Sequence, residues 1–206
     1  GRIYGDTRMS KLQIFGATRS RTLRTLWLAD ELGLDYDHRQ KDEDGLDYLS
    51  VNPAGKVPSI DDDGLVLWES MAINMYLVKK HGGELAPRDP VEEALTLQWT
   101  FWAMSEVENN ALTALFNRAL LPEGERDAAA ADKADAALQK PLGILNDALA
   151  DRQWLAADRF TVADLNVASV LSWVKMARVD LGAFPNLTDW LGRCAERPAL
   201  VKILKG

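Results

Sequence analysis

The chain has 206 residues, 47% of them hydrophobic and 27% charged, with a formal net charge of −7. That length and apolar content bury an ample core as one large or two small domains, and they exclude disorder as the default state. The acidic balance argues against a broad nucleic-acid footprint. No apolar run approaches the roughly 18 residues that span a bilayer, which argues against a membrane partner.

A single cysteine, Cys194, excludes both dithiol exchange and an internal disulfide. No secretory pattern opens the chain, and with no disulfide the expected compartment is the cytoplasm. Residues 1–8 (GRIYGDTR) read as an expression remnant or a frayed extension. Two histidines, His38 and His81, and one cysteine without clustered spacing argue against a metal site. No glycine loop of the phosphate-cradling kind is present.

Lys11 to Gly16 is short, apolar and partly alternating, as a first strand is. A polar turn comes next, Ala17-Thr18-Arg19-Ser20-Arg21-Thr22. Leu23, Leu26, Trp27 and Leu28 then set a helical pattern that stops at Gly33, a fitting residue past a helix end. Leu34 to Arg39 reads as a second strand and Asp42 to Ser50 as a short helix.

Asn52-Pro53-Ala54-Gly55-Lys56-Val57-Pro58 leads into a hairpin. Val57 to Ile60 and Leu65 to Leu67 are its strands, and Asp63-Gly64 supplies the positive φ angles of a two-residue connection. Pro58 sits at a strand start, where a cis X-Pro bond is a deliberate feature. A strand left open at Val57 offers a backbone N–H and C=O to an added peptide strand. Glu69-Ser70 then opens a helix that runs to Lys80. A helix N-terminus suits a carboxylate, and an acidic side chain beside it suits an ammonium group.

His81 to Pro90 holds two prolines and two glycines, as a linker does. Beyond it, Ala/Leu-rich helical periodicity dominates. Val91 to about Leu120 reads as one long helix. Glu123 to Ala150 reads as a second that Pro141 kinks or interrupts. Thr161 to Ala177 and Pro185 to Arg197 come after it, with a tail helix over Ala199 to Leu204. Thr161 and Asp164 have capping-box spacing, and Phe160 and Leu165 take the staple positions around it. On this reading Asp164→Ala costs about 1–2 kcal/mol of stability. Arg118 reads as solvated.

The Val57-Pro58 hairpin, the Glu69-Ser70 pair, the Ser20-Arg21-Thr22-x-Arg24-x-Leu26-Trp27 segment and the Thr161-x-x-Asp164 element resemble the cytosolic glutathione transferases, of the bacterial, serine/threonine-like kind. The resemblance runs from Met9 onward. It implies an α/β thioredoxin-like domain over residues 9–82, a linker over 83–90 and an all-α helical bundle over 91–206.

The resemblance also implies that glutathione is the co-substrate, with no metal. Val57, Pro58, Glu69, Ser70, Lys56 and Arg19 would bind it. Lys56 would meet the glycine carboxylate, with Asn52 as the alternative. Ser20 would donate a hydrogen bond to the glutathione thiolate; an earlier register selects Thr18, or position 17, where Ala17 stands. Trp102, Ala103 and Glu106 would line the pocket for a small hydrophobic electrophile.

A free thiol near pKa 8.5 is only a few per cent ionised at neutral pH, and lowering it by two units takes about 2.7 kcal/mol. A hydroxyl donor, a helix N-terminus and a nearby arginine supply that together. The expected protein is a homodimeric transferase. The alternatives are a non-catalytic glutathione-binding or protein-interaction module, or a glutathione-dependent isomerase, peroxidase or dehalogenase.

Overall fold

The computed structural model describes residues 10–206, so the reading of residues 1–8 lies outside the described residues. The chain divides into two compact units, with the boundary between His81 and Gly82.

The first unit is a four-stranded sheet with helices. Its elements are β1 (Leu12–Phe15), α1 (Thr22–Glu31), β2 (Asp37–Arg39), α2 (Tyr48–Val51), β3 (Ser59–Asp62), β4 (Leu65–Trp68) and α3 (Ser70–His81). The sheet order is β2-β1-β3-β4. β1 and β2 are parallel, as a crossover through a helix requires, whereas β3 runs antiparallel to both β1 and β4. Ile14 pairs with Ile60, and both are fully buried together with Leu28, Ile73 and Leu77. Asp63 and Gly64 close the β3–β4 hairpin at φ 53° and 97°.

The short helix expected over Asp42 to Ser50 forms only from Tyr48. Gly45 stands at φ 80°, outside helical space, and delays its start. The second strand is likewise shorter than Leu34 to Arg39, covering its last three residues.

Asp62, in β3, is buried and accepts from Tyr76 Oη and Lys80 Nζ of α3, both at 2.6 Å. Burial alone would raise its pKa, but the Lys80 ammonium and the Tyr76 hydroxyl hold the carboxyl below the ordinary carboxylate value. The folded pKa lies under the unfolded one. The tie therefore contributes stability above pH 4 or so, and that contribution is lost as pH falls through the depressed folded value. Asp62→Asn should cost about 1 kcal/mol at pH 7. In denaturant melts the gap to the parent protein should close as the pH is lowered through the depressed folded value; a gap independent of pH would contradict the assignment.

The second unit is helical. α4 (Pro90–Trp102) begins at Asp89, whose side chain accepts from the Glu92 N–H, with Pro90 at the first helical position. The path then continues through a π-helical turn (Ala103–Val107), α5 (Glu108–Leu115) and a second π-helical turn (Phe116–Leu120). The single helix expected over Val91 to Leu120 is thus one path wound at two pitches. After it come α6 (Ala128–Ala148), α7 (Val162–Met176), α8 (Pro185–Ala195) and α9 (Pro198–Lys205).

Pro141 neither ends nor divides α6. Its buried ring packs in one apolar row with Ala134, Leu138, Leu142 and Leu145, and that burial offsets the lost backbone bond. Glu123 to Glu125 form a separate 3₁₀ turn before α6.

Arg118 is not solvated. It donates to Asp135 at 2.6 Å, to Asp132 at 3.0 Å and to the Ala177 carbonyl at 3.3 Å, which ties the second π turn to α6 and α7. Arg159 does similar work at the head of this unit. It meets both Glu92 carboxylate oxygens, at 2.7 and 3.1 Å, and the carbonyls of Glu84 and Ala86 at 2.7 and 2.8 Å. Arg159→Ala leaves Glu92 and two carbonyls without these donors. We expect a loss of about 2 kcal/mol and faster proteolytic cleavage within residues 82–90. An unchanged melting curve and cleavage rate would rule the clamp out.

Candidate active site in the first unit

The site is assembled where three segments leave the sheet. β1 ends at Gly16, whose N–H donates to the Arg39 carbonyl at 2.9 Å and whose carbonyl lies 2.6 Å from His38 Nε2. Gly16 has φ 131°, and a Cβ placed there would approach the Val57 Cβ at 2.8 Å and run into the Thr22 side chain. Only glycine lets the end of β1, the start of α1 and the Val57 loop converge so closely.

The polar turn after Gly16 leads into α1. Its first turn carries no acidic residue to cancel the positive end of the helix dipole. Ser20 is half-buried, and its Oγ is 2.6 Å from the Ala17 carbonyl, 2.9 Å from Thr22 Oγ1 and 3.1 Å from the Thr22 N–H. A hydroxyl has one proton. If it goes to the Ala17 carbonyl, Thr22 donates to Ser20 through both its hydroxyl and its amide. Ser20 thus caps the helix start, and its proton lies on the side of the turn. Thr18 is half-buried with no hydrogen bond to its hydroxyl among the described residues, and Arg19 is exposed.

The Val57-Pro58 peptide bond is cis. Among the described residues nothing pairs with the Val57 N–H or C=O, so this edge beside β3 is open for an added strand. Pro58 is buried and Lys56 exposed. Asn52 is buried: its Nδ2 donates to the Lys56 carbonyl at 2.9 Å and its Oδ1 accepts from the Ala54 N–H at 2.9 Å. Asn52 therefore shapes the loop rather than facing outward. Lys41 reaches the same loop, with Nζ 3.2 Å from the Gly55 carbonyl.

Glu69 is exposed at φ 77°, left-handed space that a non-glycine residue enters at a cost of about 1–3 kcal/mol. Its carbonyl accepts the first helical bond of α3, from Ile73 at 2.9 Å. The kink thus falls at the mouth of α3. Ser70 is buried, and its Oγ accepts from Arg24 Nη1 at 3.2 Å, which leaves the serine proton for an incoming acceptor.

Arg24 belongs to the Ser20–Trp27 segment, yet spacing alone assigns it no role. It is 2% exposed and brings a guanidinium to the base of α3, while Thr25 Oγ1 and the Arg24 carbonyl bond Asn74 at 3.1 and 3.3 Å. A signal for it exists in the chain: a charged residue between apolar helix positions must either snorkel or be paired inside.

In the second unit, Trp102 is half-buried with its ring 5.2 Å from that of Trp99 in an edge-to-face arrangement, and Glu106 is exposed. Ala103 has no exposed surface, so the expectation that it lines a pocket is corrected here: it belongs to the buried side of the helix. Helical spacing presumes 3.6-residue turns throughout. A π turn beginning at Ala103 holds an extra residue and re-aims the side chains after it. Among the described residues no cluster of three or more His, Cys, Asp or Glu side chains could hold a metal ion.

A sheet of this order with its open edge at a cis-proline, and a separate helical unit capped through a Thr-x-x-Asp box, define the two-domain glutathione-transferase architecture. Residues 10–79 match the family model for the glutathione S-transferase N-terminal domain and residues 97–198 that for the C-terminal domain. "Glutathione S-transferase GstA" of Escherichia coli O157:H7 is 34% identical over 76% of this chain and 76% of its own.

Among solved structures, the theta class glutathione S-transferase of Xanthomonas axonopodis pv. citri with glutathione bound has a TM-score of 0.86 at 30% identity, covering 96% of this chain and 99% of that one. Ure2p5 of Phanerochaete chrysosporium, cocrystallized with 1-(S-glutathionyl)-2,4-dinitrobenzene, has a TM-score of 0.85 at 25% identity, over 97% of this chain and 95% of that one. The chain belongs to the glutathione S-transferase family.

Proposed function

We propose that this chain binds glutathione along the Val57 edge and transfers its thiolate to a hydrophobic electrophile. The observation that carries the reading is the unpaired Val57 backbone next to the cis-proline, at a residue whose Cβ closes on Gly16 together with Thr22 at the start of α1. The cysteinyl part of the tripeptide pairs with the Val57 N–H and C=O. The γ-glutamyl carboxylate takes the Ser70 hydroxyl and the N-terminal amides of α3, and its ammonium takes Glu69. Lys56, with Lys41 beside it, meets the glycine carboxylate, and Arg19 adds positive charge at the turn. Pro58 holds the edge.

Ser20 turns its proton from the Ala17 carbonyl toward the sulfur; Thr18 is the second donor available. The thiolate, stabilised by that donor and the α1 dipole, attacks the electrophilic carbon. One S–C bond forms, and in a substitution the leaving group departs with its electron pair. Support for substitution at an aromatic carbon comes from the relative that holds a dinitrobenzene conjugate of glutathione.

The test is conjugation of 1-chloro-2,4-dinitrobenzene. Glutathione-dependent turnover supports the reading. Retention on immobilised glutathione without turnover would favour a binding module.

A homodimer is the second part of the proposal. β4 exposes Leu65, Val66 and Trp68, and α4 exposes Val91, Leu97 and Phe101, apolar side chains of the sort an isologous contact covers. The family and the lone, buried Cys194 support a cytoplasmic location. Among the described residues no helix is long and apolar enough to cross a membrane.

A further inference from the structure

We propose that Tyr48 and Asn52 are positioning residues that aim the Val57 amide at glutathione by gripping the other side of the same peptide unit. The inference rests on the glutathione reading above and adds a layer beneath it.

The Lys56 carbonyl and the Val57 N–H belong to one peptide plane. In a trans peptide these two groups point to opposite sides. Whatever fixes the carbonyl therefore fixes the direction of the N–H. Two donors hold it: Tyr48 Oη at 2.5 Å and Asn52 Nδ2 at 2.9 Å. They satisfy both of its lone pairs. Tyr48 is 6% exposed and Asn52 2%, so both donor side chains are buried.

The Tyr48 proton is committed to Lys56. The 2.8 Å contact between Tyr48 Oη and Ser59 Oγ then has Ser59 as its donor. Ser59, Tyr48 and Lys56 form a donor chain that ends on the carbonyl, and donation into a carbonyl polarises the amide it belongs to. The Val57 N–H is thus both oriented and made a stronger donor toward the side where no protein group meets it. Asn52 is locked for the task by its second bond, from the Ala54 N–H to Oδ1. The short α2 delivers Tyr48 to this spot.

The experiment is calorimetric titration with glutathione of the intact protein, of Tyr48→Phe and of Asn52→Asp, together with steady-state kinetics. Tyr48→Phe keeps the ring that packs 6.0 Å from Phe15 and removes only the hydroxyl. Asn52→Asp keeps the acceptor for Ala54 but sets a carboxylate oxygen, with its charge, against the Lys56 carbonyl in place of the donor, so Tyr48→Phe is the variant that removes a bond alone. Each should weaken glutathione binding and raise its KM about fivefold. Turnover at saturating glutathione and the pKa of the bound thiol should stay at the parent values, because the Ser20 turn is untouched.

Affinity unchanged in both variants overturns the proposal, whatever happens to thermal stability. Turnover and thiol pKa that move together with affinity overturn it too, since the effect would then be general loosening of the site. No binding heat from the parent protein is a different result: it sinks the glutathione reading itself.

Discussion

Asp164→Ala should lower the free energy of unfolding by about 4 kcal/mol, the largest stability effect we expect from any single substitution in the helical unit. The carboxylate is fully buried and accepts from the Thr161 N–H at 3.0 Å, the Leu155 N–H at 3.0 Å and Trp190 Nε1 at 2.9 Å. Alanine strands all three donors, each worth about 1–3 kcal/mol when left buried and unmet. Removing a buried charge gives part of that back, because burial raises the Asp164 pKa against the pull of those donors. The balance still exceeds the roughly 1–2 kcal/mol of a capping box alone, since Trp190 of α8 and the loop before α7 depend on the same side chain.

Asp164→Asn should recover less than half of the loss, because its amide must turn an N–H toward a donor. Urea denaturation followed by tryptophan fluorescence reads both. A loss below about 1.5 kcal/mol for the alanine variant would show that the hub is replaceable.

Ser20→Ala should raise the pKa of bound glutathione by about 1.5 units and lower turnover at neutral pH at least tenfold. A hydrogen bond to a charged acceptor is worth about 1.5–3 kcal/mol, and each pKa unit corresponds to about 1.4. The Ser20 hydroxyl lies 2.6 Å from the Ala17 carbonyl in the free protein, so donation to sulfur replaces one acceptor with a charged one. The substitution also takes an acceptor from the Thr22 N–H. The decisive readout is therefore the thiol pKa, from ultraviolet thiolate absorbance and from the acid limb of the kcat/KM profile, which should shift to higher pH together. Thr18→Ala should leave both in place. The reverse outcome assigns the thiolate donor to Thr18.

What could be read from the chain was whatever a local backbone requirement imposes on residue type. Asp63-Gly64 gives the hairpin because only such residues take its φ angles. Pro58 gives the cis bond and Thr161-Asp164 the cap for similar reasons. What could not be read depends on partners distant in sequence. Asp62 extends β3 as a buried acid because Tyr76 and Lys80 come round on α3 to meet it. Arg24 is buried because Ser70 lies across from it, 46 residues on. In the sequence Tyr48 is one aromatic in a polar stretch, and its meaning appears only when the Lys56 carbonyl is beside it. Glu69 could be placed at a helix mouth, but its left-handed φ is a property of the packed hairpin. The change of pitch over Ala103–Val107 could not be read either, because periodicity presumes 3.6-residue turns throughout.

The direct measurement is a crystal structure of the protein soaked with glutathione. We expect an extended tripeptide with its cysteinyl backbone paired to the Val57 N–H and C=O, its γ-glutamyl end at Glu69 and Ser70, and its sulfur within about 3.5 Å of the Ser20 hydroxyl. A tripeptide bound elsewhere, or a Val57 edge left bare at millimolar concentrations, would contradict the account.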